Sequence, residues 1–316
     1  MGETKQTRAE LTLLQNLPLE AKIEKTKQRI REWYNYFNGQ VYVSFSGGKD
    51  STVLLHLVRS IYPDVVAVYS ATPDYPEIRD FINKQENVII VNPAKSYVQI
   101  IKEYGYPVIS KETSEAIYYA RRGGAAERER ESTPFGLTKE TVNKRIELLG
   151  KRPLEKGKNY WAFLKAQVNM GSLPDTRCDY NKTRWLPLAQ LPFKISHYCC
   201  AVMKKMPMAK WQRQNKKYPI LGSMAEESRL RTQSWLRHGC NAFDNKKKVS
   251  IPMAFWREQD VLEYIRRNGL EICGAYGEIV ESKGKLQCTK CSRTGCIGCA
   301  FSVLRKDEKS RFAKLK

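Results

Sequence analysis

Residues 41–56 read VYVSFSGGKDSTVLLH, and the order of residue types in this run decides the fold. Val41, Val43 and Phe45 alternate with Tyr42 and Ser44, the composition of a short buried strand. From Ser51 to Ser60 the run STVLLHLVRS turns helical, so the two glycines between predict a tight strand-to-helix turn. Such a turn points backbone N–H groups, at the positive end of a helix, towards any anion that enters. Gly47 and Gly48 let the backbone approach a phosphate closely, Lys49 adds charge, and Ser46 and Ser51 offer hydroxyl donors. Neither GxxxxGK[ST] nor GxGxxG is present, which excludes the commonest nucleoside triphosphate and dinucleotide loops.

Working outward, Val65 to Ser70 and Val88 to Val91 are further β-branched runs, with a helical segment PEIRDFIN at residues 76–83 between them. Strand and helix in alternation predict a Rossmann-like α/β fold, a parallel sheet with helices on both faces. Upstream, Leu19, Ile23, Ile30, Trp33 and Phe37 recur at helical spacing and predict an amphipathic helix. YPILG at residues 218–222 resumes the strand pattern and DVLEYIRRN at 260–268 the helical one. Between about 120 and 194 the alternation fails, and RRGGAAERERE at 121–131 followed by a basic stretch predicts a largely helical, basic insertion. The expected organisation is an N-terminal helix over 1–38, an α/β domain over 39–270 and a Cys-rich segment with a basic tail over 271–316.

At 316 residues, 41% hydrophobic and 28% charged, the chain is long enough for a sizeable core and unlike collagen-like, disordered or membrane-embedded sequences. Fifty-five Lys and Arg against thirty-three Asp and Glu leave a formal charge of +22, a field that attracts polyanions. No apolar run approaches the roughly 18 residues of a membrane span, the first thirty residues lack signal-peptide order, and Gln6 breaks the myristoylation pattern after Met1-Gly2. The expectation is a cytoplasmic protein with no membrane partner. Nine cysteines, four of them between Cys288 and Cys299, fit metal or redox chemistry in a reducing compartment better than a disulfide framework.

The run from Phe45 to His56 resembles the pyrophosphate loop of the PP-loop ATP pyrophosphatases, which share an adenine nucleotide alpha hydrolase-like fold. That resemblance implies ATP cleaved between its α- and β-phosphates. Ser46, Gly47, Gly48, Lys49, Asp50 and Ser51 would hold the phosphates, Lys49 and Asp50 would be catalytic, and Mg²⁺ would assist. Three later segments resemble the phosphoadenosine phosphosulfate reductase branch. Thr72 to Glu77 is similar to TGxEYPE with Pro73 for glycine; Gly222 to Arg231 is similar to GxRxxESxxR. The second keeps Gly222, Glu227, Ser228 and Arg231 as phosphate-binding candidates but has Met224 at the arginine position. Pro252, Trp256, Asp260, Val261, Tyr264 and Ile265 match a third segment whose residues read as helix packing.

Cys199-Cys200 and Cys296-Ile-Gly-Cys299 are similar to the two halves that bind a [4Fe–4S] cluster in iron–sulfur adenylylsulfate reductases. A rival four-thiolate set, Cys288, Cys291, Cys296 and Cys299, could bind Zn²⁺, although its central spacing is short for a zinc ribbon, where the two knuckles are usually further apart. Cys288 and Cys291 otherwise read as a redox pair, persulfide carriers or local structure. Cys178, Cys240 and Cys273 read as structural thiols, and His56, His197 and His238 as packing or surface residues.

The sulfonucleotide reductases carry a catalytic cysteine in a C-terminal tail, whereas nothing after Cys299 here is cysteine, and SGGKDS matches the ATP-cleaving loop rather than the altered loop of reductases. The resemblance thus extends to the DNA phosphorothioation sulfurtransferases. It implies an ATP-dependent sulfurtransferase that adenylates an oxygen of a nucleic acid or nucleotide-like anion and replaces it with sulfur from a donor protein. A phosphoadenylyl- or adenylylsulfate reductase with an atypical nucleophile is the second reading, and a nucleic-acid-binding protein that senses ATP and carries structural zinc is the third.

Overall fold

The computed structural model describes residues 6–122, 185–189, 191–243, 248–297, 299 and 301. Most of the expected insertion, Cys178 and the basic tail lie outside the described residues. In chain order the elements are α1 (Arg8–Gln15), α2 (Leu19–Tyr36), β1 (Val41–Ser44), α3 (Lys49–Arg59), β2 (Ala67–Ser70), α4 (Pro76–Asn83) and β3 (Val88–Val91). Then come α5 (Tyr97–Tyr104), α6 (Lys111–Arg122), α7 (Leu186–Ala189), a π-helical turn (Ala201–Lys205), α8 (Met206–Asn215) and β4 (Tyr218–Leu221). The remainder is α9 (Arg229–His238), β5 (Asn241–Ala242), β6 (Val249–Ser250), α10 (Glu258–Asn268), β7 (Ile279–Ser282) and β8 (Lys285–Cys288). The chain divides into two compact units, Met1–Pro93 with Lys204–Cys296 and Ala94–Met203 with Ile297–Lys316.

The first unit holds a six-stranded sheet in the order β3-β2-β1-β4-β6-β5. Five of its strands run parallel, as the alternation predicts, and β5 departs from this by pairing antiparallel with β6. Both strands of that pair are two residues long, too short to show in a hydrophobic pattern. The sheet is flanked by helices, and α3 is the one nearest its centre. Val53, Leu54, Leu57 and Val58 of α3 are sealed from solvent, so the helix is apolar around most of its circumference and packs on β1, α2 and α10. Full burial of such side chains contributes about 1.5–3 kcal/mol each, and the cluster they join also takes in Ile30, Trp33, Val43, Ile220, Phe255 and Trp256.

Polar ties fix α2 and α10 around this core. The buried Lys22 ammonium donates to Asp260 Oδ2 at 2.6 Å, and the same oxygen accepts the Arg257 N–H at 2.6 Å, capping α10. Trp256 Nε1 donates to Thr26 Oγ1 at 2.8 Å. Trp256, Val261, Tyr264 and Ile265 are all buried, which agrees with reading their segment as packing. β7 and β8 form an antiparallel hairpin beside the sheet, held to α10 by paired bonds of 2.9 Å between the Gln259 amide and the Leu286 backbone.

The second unit is built on α5 and α6. Ser96 and Gln99 form a capping box on α5, which buries Ile100 and Ile101 against Cys199 and Met203. α6 buries Ile117 against Ile195, with Val108 and Leu188 alongside. Tyr106 bridges to Ile195 in parallel, and the rings of Tyr104, Tyr118, His197 and Tyr198 stack or meet edge-on. Among the described residues no helix is long and apolar enough to cross a membrane.

Candidate functional site: the phosphate loop and its surroundings

The order of the sheet reverses at β1: the chain leaves it for β2 on one side and later returns to β4 on the other. Ligands of open α/β sheets bind beyond the carboxyl ends of the strands at such a switch point. The loop 45–48 follows β1 there and the segment 222–228 follows β4, so the fold brings these two motifs to one place.

Gly47 adopts φ +67°, a conformation few side chains tolerate, and a Cβ on it would stand 3.0 Å from Ile78 Cγ2. Gly48 caps α3 in extended conformation. The loop is stitched internally: Ser51 Oγ donates to the Gly48 carbonyl at 2.8 Å and accepts the Ser46 N–H at 3.2 Å, and the Gly48 N–H donates to Ser46 Oγ at 3.3 Å. Gly222 lies directly against this turn, for a Cβ there would meet the Asp50 carbonyl oxygen at 2.9 Å and Ser51 Cα at 3.2 Å. Only a glycine allows the strand end of β4 to touch the first turn of α3.

Lys49 is buried, and its ammonium donates to the Ser292 carbonyl at 2.7 Å, pairs with Glu258 Oε1 at 3.0 Å and sits 5.4 Å from the Tyr276 ring centroid. Burial pulls this ammonium downward, but Asp50, Tyr276 and Glu258 outweigh it and hold it above its ordinary pKa, so it stays charged. The Lys49 N–H donates to the Tyr276 hydroxyl at 3.2 Å, and that hydroxyl meets Thr294 Oγ1 at 3.0 Å. Burial pushes the Tyr276 phenol up to about 12, so it remains a neutral hydroxyl.

Asp50 is half-buried, and its Oδ1 is sealed off, with no hydrogen-bond partner among the described residues. Burial raises its carboxyl above the usual range against the opposing charges of Lys49, Arg293 and Arg231. A sealed, unpaired carboxylate oxygen costs free energy until a proton or a cation reaches it. That fits a divalent cation of the kind that takes one or two carboxylates and completes its shell with phosphate and water.

Beyond β4, Glu227 is the hub. Its Oε1 accepts the Met224 N–H at 2.9 Å and pairs with Arg231, while Oε2 lies 3.3 Å from Arg293 Nη1. Ser228 caps α9 by accepting the Arg231 N–H at 3.3 Å, which makes its hydroxyl structural in this arrangement. Sequence reading singles out Lys49, Asp50, Gly222, Glu227 and Arg231, and the fold brings all of them together. It gives no role to Glu258, Tyr276, Ser292, Arg293 or Thr294. The only trace of the last three is their place just ahead of Cys296.

The cysteines divide. In the second unit Cys199 and Cys200 are adjacent, and the Cys199 thiol is pushed well above its ordinary pKa by its hydrogen bond with Cys200, by burial and by the neighbouring Cys200 and Cys299. These three thiols are neighbours, yet among the described residues no group of three or more His, Cys, Asp or Glu side chains is assembled as a metal site. Cys296 falls at the end of the first unit. Of the rival set, Cys291 is buried in the main core and its thiol donates to the Ala275 carbonyl at 2.8 Å. Cys288 packs at the edge of the same core, with burial raising its thiol. Cys240 and Cys273 are buried, as expected of structural thiols. His56 Nδ1 lies 2.9 Å from the Tyr264 hydroxyl, a packing contact.

A comparison with curated proteins finds no match. The sequence matches the phosphoadenosine phosphosulfate reductase domain over residues 40–118 and 169–299, which takes in the phosphate loop, the Glu227 hub and both Cys pairs. With more than half of its length so matched, and with the switch-point phosphate loop in place, the chain belongs to the phosphoadenosine phosphosulfate reductase domain family, a family of enzymes with a PP-loop type of nucleotide site.

Proposed function

We propose that this protein is an ATP-dependent PP-loop enzyme that adenylates an oxygen of a nucleic acid or nucleotide-like anion with release of pyrophosphate, and then exchanges that oxygen for sulfur. The observation that carries the reading is the presence at one strand end of a charged, buried Lys49 next to Asp50, whose sealed Oδ1 has no hydrogen-bond partner among the described residues. A cation against phosphates beside a carboxylate suited to Mg²⁺ is what a departing pyrophosphate needs.

In this mechanism the loop amides and Lys49 hold the β- and γ-phosphates. The acceptor oxygen attacks the α-phosphorus, a new P–O bond forms, and the bond to the β-phosphate bridging oxygen breaks. Sulfur at the sulfide level, delivered by a donor protein, then forms a bond at the adenylated centre and AMP leaves with the oxygen. Asp50 would hold Mg²⁺, which supplies charge neutralisation at the phosphates. Cys199, Cys200 and Cys299, with Cys296 three residues before Cys299, are the residues we assign to a [4Fe–4S] cluster, which supplies sulfur or electron chemistry when bound. The clustered thiols suit this, because a metal removes the mutual penalty that raises Cys199. The +22 charge supports a polyanionic acceptor.

The test is turnover by anaerobically purified protein. AMP and pyrophosphate formed from ATP, dependent on added nucleic acid, support the reading. Sulfite formed from adenylylsulfate with thioredoxin would move the protein to the reductases, and salt-sensitive nucleic-acid binding without ATP cleavage would leave only a binding role. Iron and sulfide analysis on the same sample tests the cluster assignment against zinc.

A further inference from the structure

Glu227 is shared by two guanidinium groups that come from different parts of the chain. Arg231 belongs to α9, four residues after Glu227; Arg293 comes from the segment between Cys291 and Cys296, and its Nη1 reaches Glu227 Oε2 at 3.3 Å. That segment leans on the phosphate loop at two further points. Ser292 offers its carbonyl to Lys49 Nζ at 2.7 Å, and Thr294 Oγ1 meets the Tyr276 hydroxyl at 3.0 Å and stands 3.6 Å from where a Cβ on Gly48 would be. Arg293 is therefore held over the loop by its own neighbours.

Position 224 is the arginine position of the GxRxxESxxR pattern, and here it is Met224, 2% exposed and part of the main core. No charge reaches the site from there. We propose that Arg293 supplies the missing guanidinium, and that with Arg231 it clamps a phosphate group of the bound nucleotide. The proposal rests on the nucleotide reading given above and assigns one more residue to that site.

The physical argument is one of charge. Two guanidinium groups side by side repel, and burial together with Arg293 lowers Arg231 below its ordinary range. One carboxylate, Glu227, orients both. An anion with several acceptor oxygens lying between them relieves their repulsion, and the planar fork of arginine suits phosphate in two-point contact. Both arginines act on the Asp50 carboxyl, pulling it down against the effect of its burial, so the pair lies within electrostatic reach of the phosphate loop.

The experiment is calorimetric titration of the full-length protein with Mg²⁺-ATP and, separately, with adenosine, using wild type, Arg293→Ala and Arg293→Lys, with a thermal melt of each. The expected result is a tenfold or greater rise in the Kd for ATP in Arg293→Ala, a smaller rise in Arg293→Lys, and an adenosine Kd within twofold of wild type in both. ATP affinity within twofold of wild type in Arg293→Ala overturns the clamp and leaves the nucleotide site standing. An equal loss of ATP and adenosine affinity gives Arg293 a structural role and also overturns it. A wild-type protein that binds no ATP overturns both this proposal and the reading beneath it. Should Arg293→Ala fail to fold, Arg293→Lys decides: unchanged ATP affinity there rejects the two-point contact.

Discussion

The phosphate loop and the cysteine group are both recognisable in the sequence, yet one is built in the folded chain and the other is only brought near. The loop is closed by its own hydrogen bonds, braced by Gly222 and by the Ser292–Thr294 segment, and set at a strand end. Cys199, Cys200 and Cys299 approach one another, but among the described residues they are not assembled as a ligand set. The difference follows from what each would bind. Backbone amides and a lysine gain their positions from strand and helix formation, so an anion site exists before its anion. Thiolates repel, and the free energy that draws four of them together comes from the metal itself.

Cys199→Ala breaks this comparison on the cysteine side most completely. Anaerobic preparations should lose essentially all bound iron and sulfide, while the Kd for ATP stays within twofold of wild type because Cys199 belongs to the second unit. Iron retained at wild-type levels would remove Cys199 from the ligand set. On the loop side, Lys49→Ala should lower the rate of pyrophosphate release by about 10²–10³-fold, the usual loss when one preorganised donor to developing charge is removed. A change of less than threefold in single-turnover rate would show that the ammonium is only packing. Gly222→Ala should follow, because its methyl has nowhere to go but into the Asp50 backbone. Overpacking of this sort costs about 1–3 kcal/mol, to be read from denaturant melts, together with weakened ATP binding as α3 shifts. A variant as stable as wild type would mean that β4 and α3 part easily.

Sequence reading reaches the loop and misses its surroundings for a physical reason. A strand, two glycines and a helix are local facts, and their side-chain periodicity survives in any chain that folds this way. Val41 to Ser44, Pro76 to Asn83 and Val88 to Val91 accordingly stand as strands and a helix where the pattern puts them. Ser292 and Tyr276 act over sequence separations of more than two hundred residues from Lys49, Arg293 reaches Glu227 from another part of the chain, and no local pattern encodes either. The β7–β8 hairpin is legible in principle. Lys283 and Gly284, both at positive φ, form the two-residue turn between alternating segments that marks a hairpin.

Asp50 sharpens the comparison from the side of stability. A carboxyl whose native pKa is raised holds its proton more tightly folded than unfolded. Its contribution is therefore most favourable below the unfolded value of about 3.9 and declines as pH climbs towards the raised native value. Above that window the protein carries a sealed carboxylate oxygen that has no hydrogen-bond partner among the described residues. Asp50→Asn removes the penalty, so its melting temperature should exceed that of wild type at neutral pH, and the gap should close as the pH falls towards about 4. A gap that is constant with pH would mean that the carboxyl does not titrate in that window.

The smallest effect expected is at Tyr276, and its sign is the informative part. The hydroxyl accepts the Lys49 N–H, the first amide of α3 and the one best placed to meet a phosphate oxygen. It is neutral at any working pH, since burial puts the phenol at about 12, so it competes with the phosphate as a dipole rather than as an anion. If it is a stand-in for the phosphate, Tyr276→Phe frees the amide, and ATP should bind about two- to tenfold more tightly, the span of a hydrogen bond with a net value of about 0.5–1.5 kcal/mol. The ligand-free protein should lose a similar amount of stability, because the Lys49 amide and Thr294 both lose their contact with this hydroxyl. Weaker ATP binding in the variant would reverse the assignment: the hydroxyl would then turn towards the phosphate as a donor, and the loop would recognise its ligand with a side chain that the ligand-free protein keeps folded over its own backbone.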